Sequence, residues 1–305
     1  MKVKKIFIII LSAAVFFYSL EVYCTKWSSS DNLPQELFLM QIYDEVLGAY
    51  DQNLFWRLEG VYPQFEEEEY KIVCLSDSVS VMYGGHREYP KMLEKLLIKG
   101  FPKKTFKVFN AGVPGYSSYQ GYRYLKDELM KYKPDFVSIN FGPNDHSKAL
   151  NGLEDKDQIW RRSYLDKCLG WSNFYQCYSK FLLKVKKRIY GNPKRLRRHR
   201  VSKDNFKDNL INIVKICRDN KSKAILLTLT YLNRGQERVE IHDDYNNIIR
   251  TVASEYNVIL VDLAPFFSNK EHLSIDPKHD HVHINLIGSE IIAKELFNAV
   301  KNGIK

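Results

Sequence analysis

Short runs of β-branched and aliphatic residues alternate with helical patterns over most of the chain. Each run is apolar on both of its faces, which is typical of a strand buried inside a parallel sheet. The predicted strands are Lys71–Leu75, Phe106–Asn110, Asp135–Phe141, Ala224–Leu229 and Val258–Leu263.

Amphipathic segments follow these strands, with apolar residues recurring three or four positions apart. The predicted helices are Pro90–Lys99, Ser117–Tyr132, Asn205–Asp219, His242–Tyr256 and Leu286–Val300. Serines at the start of the second helix are typical N-caps. Strand and helix in alternation predict an α/β fold, a parallel five-stranded sheet covered on both faces. Functional groups of such a sheet collect at the carboxyl ends of its strands.

The alternation also divides the chain. Residues 1–27 are predicted to be a targeting segment, 28–69 a pre-domain stalk or extension, and 70–305 the main domain. An insertion of about 151–202 follows the third strand and holds Trp160 and Trp171. Insertions at the carboxyl end of a sheet often shape substrate access.

Charge is concentrated in one part of the chain. The 305 residues carry a formal net charge of +10 and are 45% hydrophobic, enough for one full-sized core and not typical of a disordered chain. Nine Lys or Arg and no acid lie within Lys184–Arg200. This basic run indicates either a solvated face or a contact for anionic lipids or acidic glycans. No nucleic-acid partner is expected, because no recognition motif accompanies the charge.

The amino terminus has the composition of an export signal. Lys2, Lys4 and Lys5 precede the apolar run Ile6–Leu20. A basic end of this kind stays in the cytoplasm and directs the rest of the chain to the other side of the membrane. We expect either an uncleaved signal-anchor helix, which gives a membrane-anchored protein with an extracytoplasmic domain, or a cleaved signal peptide, which gives a secreted one.

The five cysteines predict no disulfide framework. Cys168 and Cys177 are nine residues apart and could pair in an oxidising compartment, whereas Cys74 and Cys217 fall on a strand and a helix, where packing is the commoner role. No Cys/His cluster indicates zinc.

Four short polar segments are placed where this fold collects its reactive groups. Ser76-Asp77-Ser78 follows the first strand, Gly112-Val113-Pro114-Gly115 the second, and Gly142-Pro143-Asn144-Asp145 the third, while Asp280-His281-Val282-His283 precedes the last helix. Each segment alone is typical of an ordinary turn or loop. Their joint occurrence at strand ends favours a common site.

The residue types fit acyl transfer at a serine. Ser78 is the candidate nucleophile, which needs a base to accept its proton, and His283 is the candidate base with Asp280 as its orienting carboxylate. Asp276 and His279 have the same spacing, but His283 leads directly into a helix whereas His279 is still in the loop. The backbone amides of Ser78 and Gly115 and the side chain of Asn144 are candidate oxyanion donors.

These blocks, in this order over residues 71–300, resemble the SGNH hydrolase family, also called GDSL esterases and lipases. The resemblance implies a flavodoxin-like three-layer α/β/α sandwich, with Ser78, Asp280 and His283 as catalytic residues, Ser78, Gly115 and Asn144 as the oxyanion hole, and neither metal nor organic cofactor. Two positions depart from the family pattern: Ser76 replaces a glycine, and Ile284 replaces a proline common after the histidine.

Three functions are consistent with these features. The first is a serine ester hydrolase acting on O-acyl esters of cell-envelope glycans or lipids, with a small-molecule, glycan or lipid ester as partner. The second is an O-acyltransferase on surface polysaccharide that uses the same residues. The third is a non-catalytic envelope binding module, suggested by Ser76.

Overall fold

The computed structural model describes residues 15–23, 50–51, 55–56, 61–81, 88–149, 154–157, 198–232 and 236–304, with isolated residues between 172 and 185. Its main sheet has strands β1 (Tyr70–Ser76), β2 (Phe106–Gly112), β3 (Phe136–Asn140), β4 (Lys223–Leu227) and β5 (Ile259–Val261). Its helices are α1 (Tyr89–Gly100), α2 (Ser118–Tyr124), α3 (Lys203–Asp219), α4 (Gln236–Glu255), the short α5 (Ala264–Phe267) and α6 (Leu286–Lys301).

The sheet confirms the predicted fold class. Its five strands are all parallel and lie in the order β2-β1-β3-β4-β5, which is the flavodoxin-like order. Ser76 at the end of β1 lies beside Gly112 of β2 and Asn140 of β3. The three loops that carry the first three polar segments therefore start from one row at the carboxyl edge.

Alternate residues of the strands face two separate cores. Val73 and Leu75 of β1 pack into a cluster with α2, α3 and α4, whereas Ile72 and Cys74 pack into a second cluster with α1 and α6. All four side chains are buried. Helices therefore cover both faces of the sheet, which gives the three-layer sandwich.

The predicted helices are present, with two differences. The helix predicted over Ser117–Tyr132 consists of α2, a π-helical turn at Leu125–Leu129 and a 3-10 turn at Met130–Tyr132. Helix α4 begins six residues before the predicted start at His242. The sequence pattern missed these residues because they form no continuous apolar stripe. Ser117 caps α2 through a reciprocal capping box with Gln120, as the serine pattern predicted.

The insertion is closed at its neck. Residues 145–149 and 198–201 are joined by backbone hydrogen bonds, among them Arg200 N to Ser147 O and Val201 N to Asp145 O. Arg200, counted in the predicted basic run, is not a surface residue: its side chain is 15% exposed and forms an ion pair with Asp155. Cys177 carries a free thiol, while Cys168, Trp160 and Trp171 lie outside the described residues.

The amino-terminal region is described only in part. Residues 15–23 are helical, and Glu21 accepts hydrogen bonds from Ser172 Oγ at 2.7 Å and Phe174 N at 3.1 Å within the insertion. Among the helices that the structure describes, none combines the length and the apolar character needed to cross a membrane. Most of the predicted targeting segment, 1–14 and 24–27, lies outside the described residues. In the pre-domain stretch, Phe65 contacts Tyr132 edge to face.

Candidate active site

The structure joins three predicted site residues by direct contacts. His283 Nε2 lies 2.8 Å from Ser78 Oγ, and His283 Nδ1 lies 2.6 Å from Asp280 Oδ2. Ser78 and His283 are 205 positions apart in the chain, and folding brings them within proton-transfer reach. The side chains of His283 and Asp280 are 31% and 24% exposed, so the site is open to a substrate.

The loop before α6 fixes the imidazole by its backbone. The second carboxylate oxygen of Asp280 accepts hydrogen bonds from the amides of Val282 and His283, both at 2.9 Å. Asn285 then caps α6 by accepting from Gly288 N. Burial acts to raise the pKa of Asp280, but these two amides and His283 outweigh it, so this pKa lies below its usual range. Asp280 is therefore an ionised partner for an imidazolium.

The second Asp-His pair forms the same contact elsewhere. His279 Nδ1 lies 3.0 Å from Asp276 Oδ2, but the His279 side chain is 79% exposed. No contact links His279 to Ser78 among the described residues. This geometry agrees with the preference for His283 over His279 that the sequence pattern indicated.

Asp77 links the nucleophile segment to the predicted oxyanion residue. Asn144 Nδ2 donates to Asp77 Oδ2 at 3.0 Å, and Val79 N donates to Asp77 Oδ1 at 2.9 Å. Asp77 is completely buried, and burial raises its pKa to about 6 against the opposing hydrogen bonds. The sequence assigned no role to Asp77. The only signal for a role was the position of Asp77 beside Ser78. Its partner Asn144 is 67 residues away in the chain, so the pairing of the two side chains could not be recognised from the sequence.

The third loop holds Asn144 between a glycine and a buried acid. Gly142 has φ of 152°, and an added Cβ there would lie 2.5 Å from the Leu229 side chain. Asp145 accepts from the amide of Ser118 at 2.9 Å and from its hydroxyl at 2.5 Å. The loop after β3 is therefore tied to the start of α2.

The second loop places Gly115 in a tight turn. Tyr116 N donates to Val113 O at 3.1 Å, and Gly115 has φ of 79°. Proline at the second position and a positive φ at the third match a type II turn, in which a side chain at the third position is strained. Val113 N also donates to Ser76 O, which holds this turn beside the Ser78 segment.

Gly112 is predicted to be intolerant of any side chain. A Cβ there would lie 1.9 Å from Ser80 Oγ and 2.9 Å from the backbone oxygen of Asp77. We expect Gly112→Ala to lower the free energy of unfolding by about 1–3 kcal/mol, as overpacking does, measured by urea denaturation. Adding Ser80→Ala removes the closest atom and should recover part of the loss. A single variant as stable as the wild type would contradict this close approach.

The buried carboxyl of Asp145 predicts a pH-dependent stability. Burial raises its pKa from 3.8 to about 7, because hydrogen bonds from Ser118 and the charge of Arg200 offset only part of the desolvation. Between about pH 4 and pH 7 the folded state holds a proton that the unfolded state has released, so this contribution to stability falls as pH rises through that window.

The isosteric change Asp145→Asn removes that titration. We expect the stability of the variant relative to the wild type, measured by urea denaturation, to rise from pH 4 to pH 7 and then to level off. Asp77 titrates in both proteins, so its contribution cancels when the stability of the wild type is subtracted from that of the variant. A difference that does not change with pH would contradict the raised pKa of Asp145.

The two departures from the family pattern leave the site intact. Ser76 ends strand β1 and is not among the non-glycine residues with positive φ, so the glycine of the family pattern is not needed there. Its hydroxyl donates to Ser80 Oγ at 2.9 Å. Ile284 is completely buried in the core that includes α6. Among the described residues, no group of three or more His, Cys, Asp or Glu side chains is placed to hold a metal ion.

Comparisons with known proteins agree with this architecture. Solved structures similar to this chain include a lipase/acylhydrolase from Enterococcus faecalis (20% identity, 77% of this chain and 97% of the other covered, TM-score 0.53). They also include the acetylxylan esterase Axe2 from Geobacillus stearothermophilus (20% identity, 77% and 95% covered, TM-score 0.51). At these identities the likeness concerns the fold.

A search of curated proteins finds no match. The sequence profile of the GDSL-like lipase/acylhydrolase family matches residues 75–291, a span that begins before Ser78 and ends after His283. The chain therefore belongs to the GDSL-like lipase/acylhydrolase family and is an ester hydrolase with the SGNH hydrolase fold.

Proposed function

We propose that the protein hydrolyses O-acyl esters through an acyl-enzyme on Ser78. The observation that carries the proposal is the chain of contacts from Ser78 Oγ through His283 to Asp280, with distances of 2.8 and 2.6 Å. A serine hydroxyl becomes a nucleophile when a neighbouring base takes its proton, and an ionised carboxylate keeps the imidazole in the required orientation.

In the first half-reaction, Ser78 Oγ attacks the ester carbonyl while His283 Nε2 takes the hydroxyl proton. The negative charge on the carbonyl oxygen is stabilised by the amides of Ser78 and Gly115 and by Asn144 Nδ2. Asp77 supports this arrangement because it accepts one hydrogen of the Asn144 amide and leaves the other for the substrate. The tetrahedral intermediate then breaks its bond to the alkoxy oxygen, which receives the proton from His283 and departs as the alcohol.

In the second half-reaction, water attacks the acyl group on Ser78. His283 takes a proton from that water, and the same donors hold the second oxyanion. When the bond between the acyl carbon and Ser78 Oγ breaks, His283 returns the proton to Ser78 and the carboxylic acid is released. Asp280 stays ionised and holds the imidazolium in both halves.

Covalent trapping tests the mechanism. A fluorophosphonate probe should label the protein at Ser78, as located by mass spectrometry of the modified peptide, and Ser78→Ala should prevent the labelling. Ser268→Ala is the matched control. This serine follows α5 and lies outside the four polar segments, so we expect its variant to be labelled like the wild type. Esterase activity without modification at Ser78 would contradict the acyl-enzyme.

For the substrate class we propose acyl esters of cell-envelope glycans, with lipid esters as the competing class. The support is the fold likeness to an acetylxylan esterase together with the export signal predicted at the amino terminus. The test compares acetate release from acetylated polysaccharides with fatty-acid release from lysophospholipids. Higher kcat/KM on the lipid would reject the glycan. Transfer of acetyl to added sugar faster than its hydrolysis would indicate the acyltransferase.

We also propose that the amino-terminal segment holds the enzyme at a membrane, with the hydrolase domain outside the cytoplasm. The support is the Lys-flanked apolar run Ile6–Leu20 and the exposed aromatic side chains of residues 15–23, among them Phe16, Phe17 and Tyr18. The eight basic residues of the run other than Arg200, at positions 184–198, are then expected to contact anionic headgroups. Membrane fractionation tests this proposal: removal of residues 2–23 should release the protein, and a full-length protein found in the soluble cytoplasm would reject it.

A further inference from the structure

A buried ion pair closes the neck of the insertion. Asp155 lies in the described stretch 154–157, near the start of the insertion, and Arg200 lies near its end; their side chains are 2% and 15% exposed. Arg200 Nη2 donates to Asp155 Oδ2 at 2.7 Å, and Asp155 N donates to Arg200 O at 2.8 Å. The pair is therefore held by both side chain and backbone.

The same guanidinium also reaches the loop that carries Gly115. Arg200 Nη1 donates to the carbonyl oxygen of Gly115 at 2.7 Å, and Nη2 donates to Gln120 Oε1 at 2.8 Å. Gln120 Oε1 accepts from Ser117 N, and Ser117 Oγ donates to Asp155 Oδ2 at 2.6 Å. Arg200, Asp155, Ser117 and Gln120 thus form a closed set of hydrogen bonds around the turn that contains Gly115.

Gly115 needs such an external support. Glycine has the widest backbone freedom, so the peptide groups on either side of Gly115 are free to rotate unless hydrogen bonds hold them. The hydrogen bond from Tyr116 N to Val113 O closes the turn that contains Gly115, and Arg200 holds the carbonyl oxygen of Gly115 itself. An oxyanion donor stabilises the transition state only when its direction is fixed before the reaction.

We propose that Arg200, held by Asp155, is a positioning residue that fixes the direction of the Gly115 amide in the oxyanion hole. This inference rests on the proposed function, in which that amide is a donor. Asp155 and Arg200 lie near the two ends of the insertion, and Arg200 also holds the loop of Gly115. The proposal therefore links the insertion to catalysis.

Lysine cannot reproduce this arrangement. The planar guanidinium of Arg200 makes hydrogen bonds to Asp155, Gly115 and Gln120 at the same time, whereas an ammonium group at the end of a flexible stem is a point charge without the fork. Arg200→Lys therefore keeps a cation beside Asp155 while the carbonyl of Gly115 loses its fixed partner.

The test measures kcat and KM for a nitrophenyl ester, together with the Ki of a boronic acid. A boronate adduct on Ser78 is tetrahedral and places an oxygen in the oxyanion hole, so its affinity reports donor geometry independently of turnover. For Arg200→Lys we expect kcat to fall about 10- to 100-fold with KM within about twofold, and Ki to rise by a factor similar to the fall in kcat. Asp155→Asn, which keeps the volume, should change both quantities in the same direction by less.

Arg250→Lys is the matched control, because Arg250 pairs through two nitrogens with Asp262 and contacts none of the predicted site residues. It should leave kcat and Ki unchanged, and thermal unfolding identifies any variant that does not fold, in which case Asp155→Asn decides. The inference is overturned if folded Arg200→Lys or Asp155→Asn keeps the wild-type kcat, or if kcat falls while the boronate Ki does not change. Failure of the proposed function is a different result, namely a wild type without turnover and without labelling at Ser78.

Discussion

Replacing His283 with alanine is expected to lower kcat/KM for a nitrophenyl ester by about 10³-fold or more. His283 Nε2 is 2.8 Å from Ser78 Oγ, and its other nitrogen is held by Asp280, so the change removes both the acceptor of the serine proton and the donor to the leaving alcohol. The side chain belongs to the loop before α6 and is about one-third exposed, so it is not part of the fully buried core. We therefore expect the variant to fold with a melting temperature close to that of the wild type.

The chain supplies a matched control for this experiment. Four residues before the Asp280–His283 pair, His279 makes an equivalent contact with Asp276, but the His279 side chain is 79% exposed. His279→Ala should keep kcat/KM within about twofold, since surface changes of this kind alter little. If His279→Ala abolished activity and His283→Ala did not, the assignment of the base would be wrong. If both variants were active, Ser78 would need another proton acceptor.

The second large effect is expected at Asn144. Its Nδ2 donates to Asp77 Oδ2 at 3.0 Å, which fixes the plane of the amide and leaves a second hydrogen for the substrate. Loss of one oxyanion donor typically costs about 10²–10³ in turnover, so Asn144→Ala should lower kcat by that factor with a much smaller change in KM. Steady-state kinetics on a nitrophenyl ester measure both quantities.

Asn247→Ala provides the comparison for Asn144→Ala. Asn247 is an exposed asparagine of α4 whose side chain accepts from Arg250, and its loss should leave kcat unchanged. The two variants have the same change in side-chain chemistry and differ in position. An Asn144→Ala enzyme with wild-type kcat would remove Asn144 from the oxyanion hole and leave the amides of Ser78 and Gly115 as its donors.

The sheet could be predicted from the sequence because its strands are buried on both faces. Strand β4, Lys223–Leu227, is apolar and buried at every position after the first, and burial on two sides leaves that mark in the composition of the segment. The start of α4 and the π-helical turn at Leu125–Leu129 were not predicted, since neither interrupts or extends an apolar stripe. Element type followed from the local pattern, whereas these two details of the helices did not.

The contacts of the site were predictable to the extent that residue type identifies chemistry. Ser78, His283 and Asp280 were assigned from spacing and from their places at loop and helix boundaries, and the structure brings them into contact. The choice between His279 and His283 also followed from the sequence, because only His283 leads into α6. Their catalytic roles stay predictions that the proposed substitutions and covalent labelling address.

The residues that support the site were not predictable. Arg200 was assigned to a basic surface run because eight other Lys or Arg precede it, yet folding turns it inward to Asp155 and Gly115. Asp77 was recognised only as a neighbour of Ser78, and its bond to Asn144 joins two loops. A single sequence contains no information about such pairings when the partners lie on different loops.

Sequence alone specified the layered α/β fold, the order of its elements and the chemical groups at the ends of its strands. Apolar periodicity and the residue preferences of caps and turns are local properties that are written directly into the chain. Folding in three dimensions settled which polar groups are paired across loops, which charges are buried, and which backbone amides are held in a fixed direction. Those outcomes depend on distances between residues far apart in sequence, and such distances are set only when the sheet brings its loops to one edge.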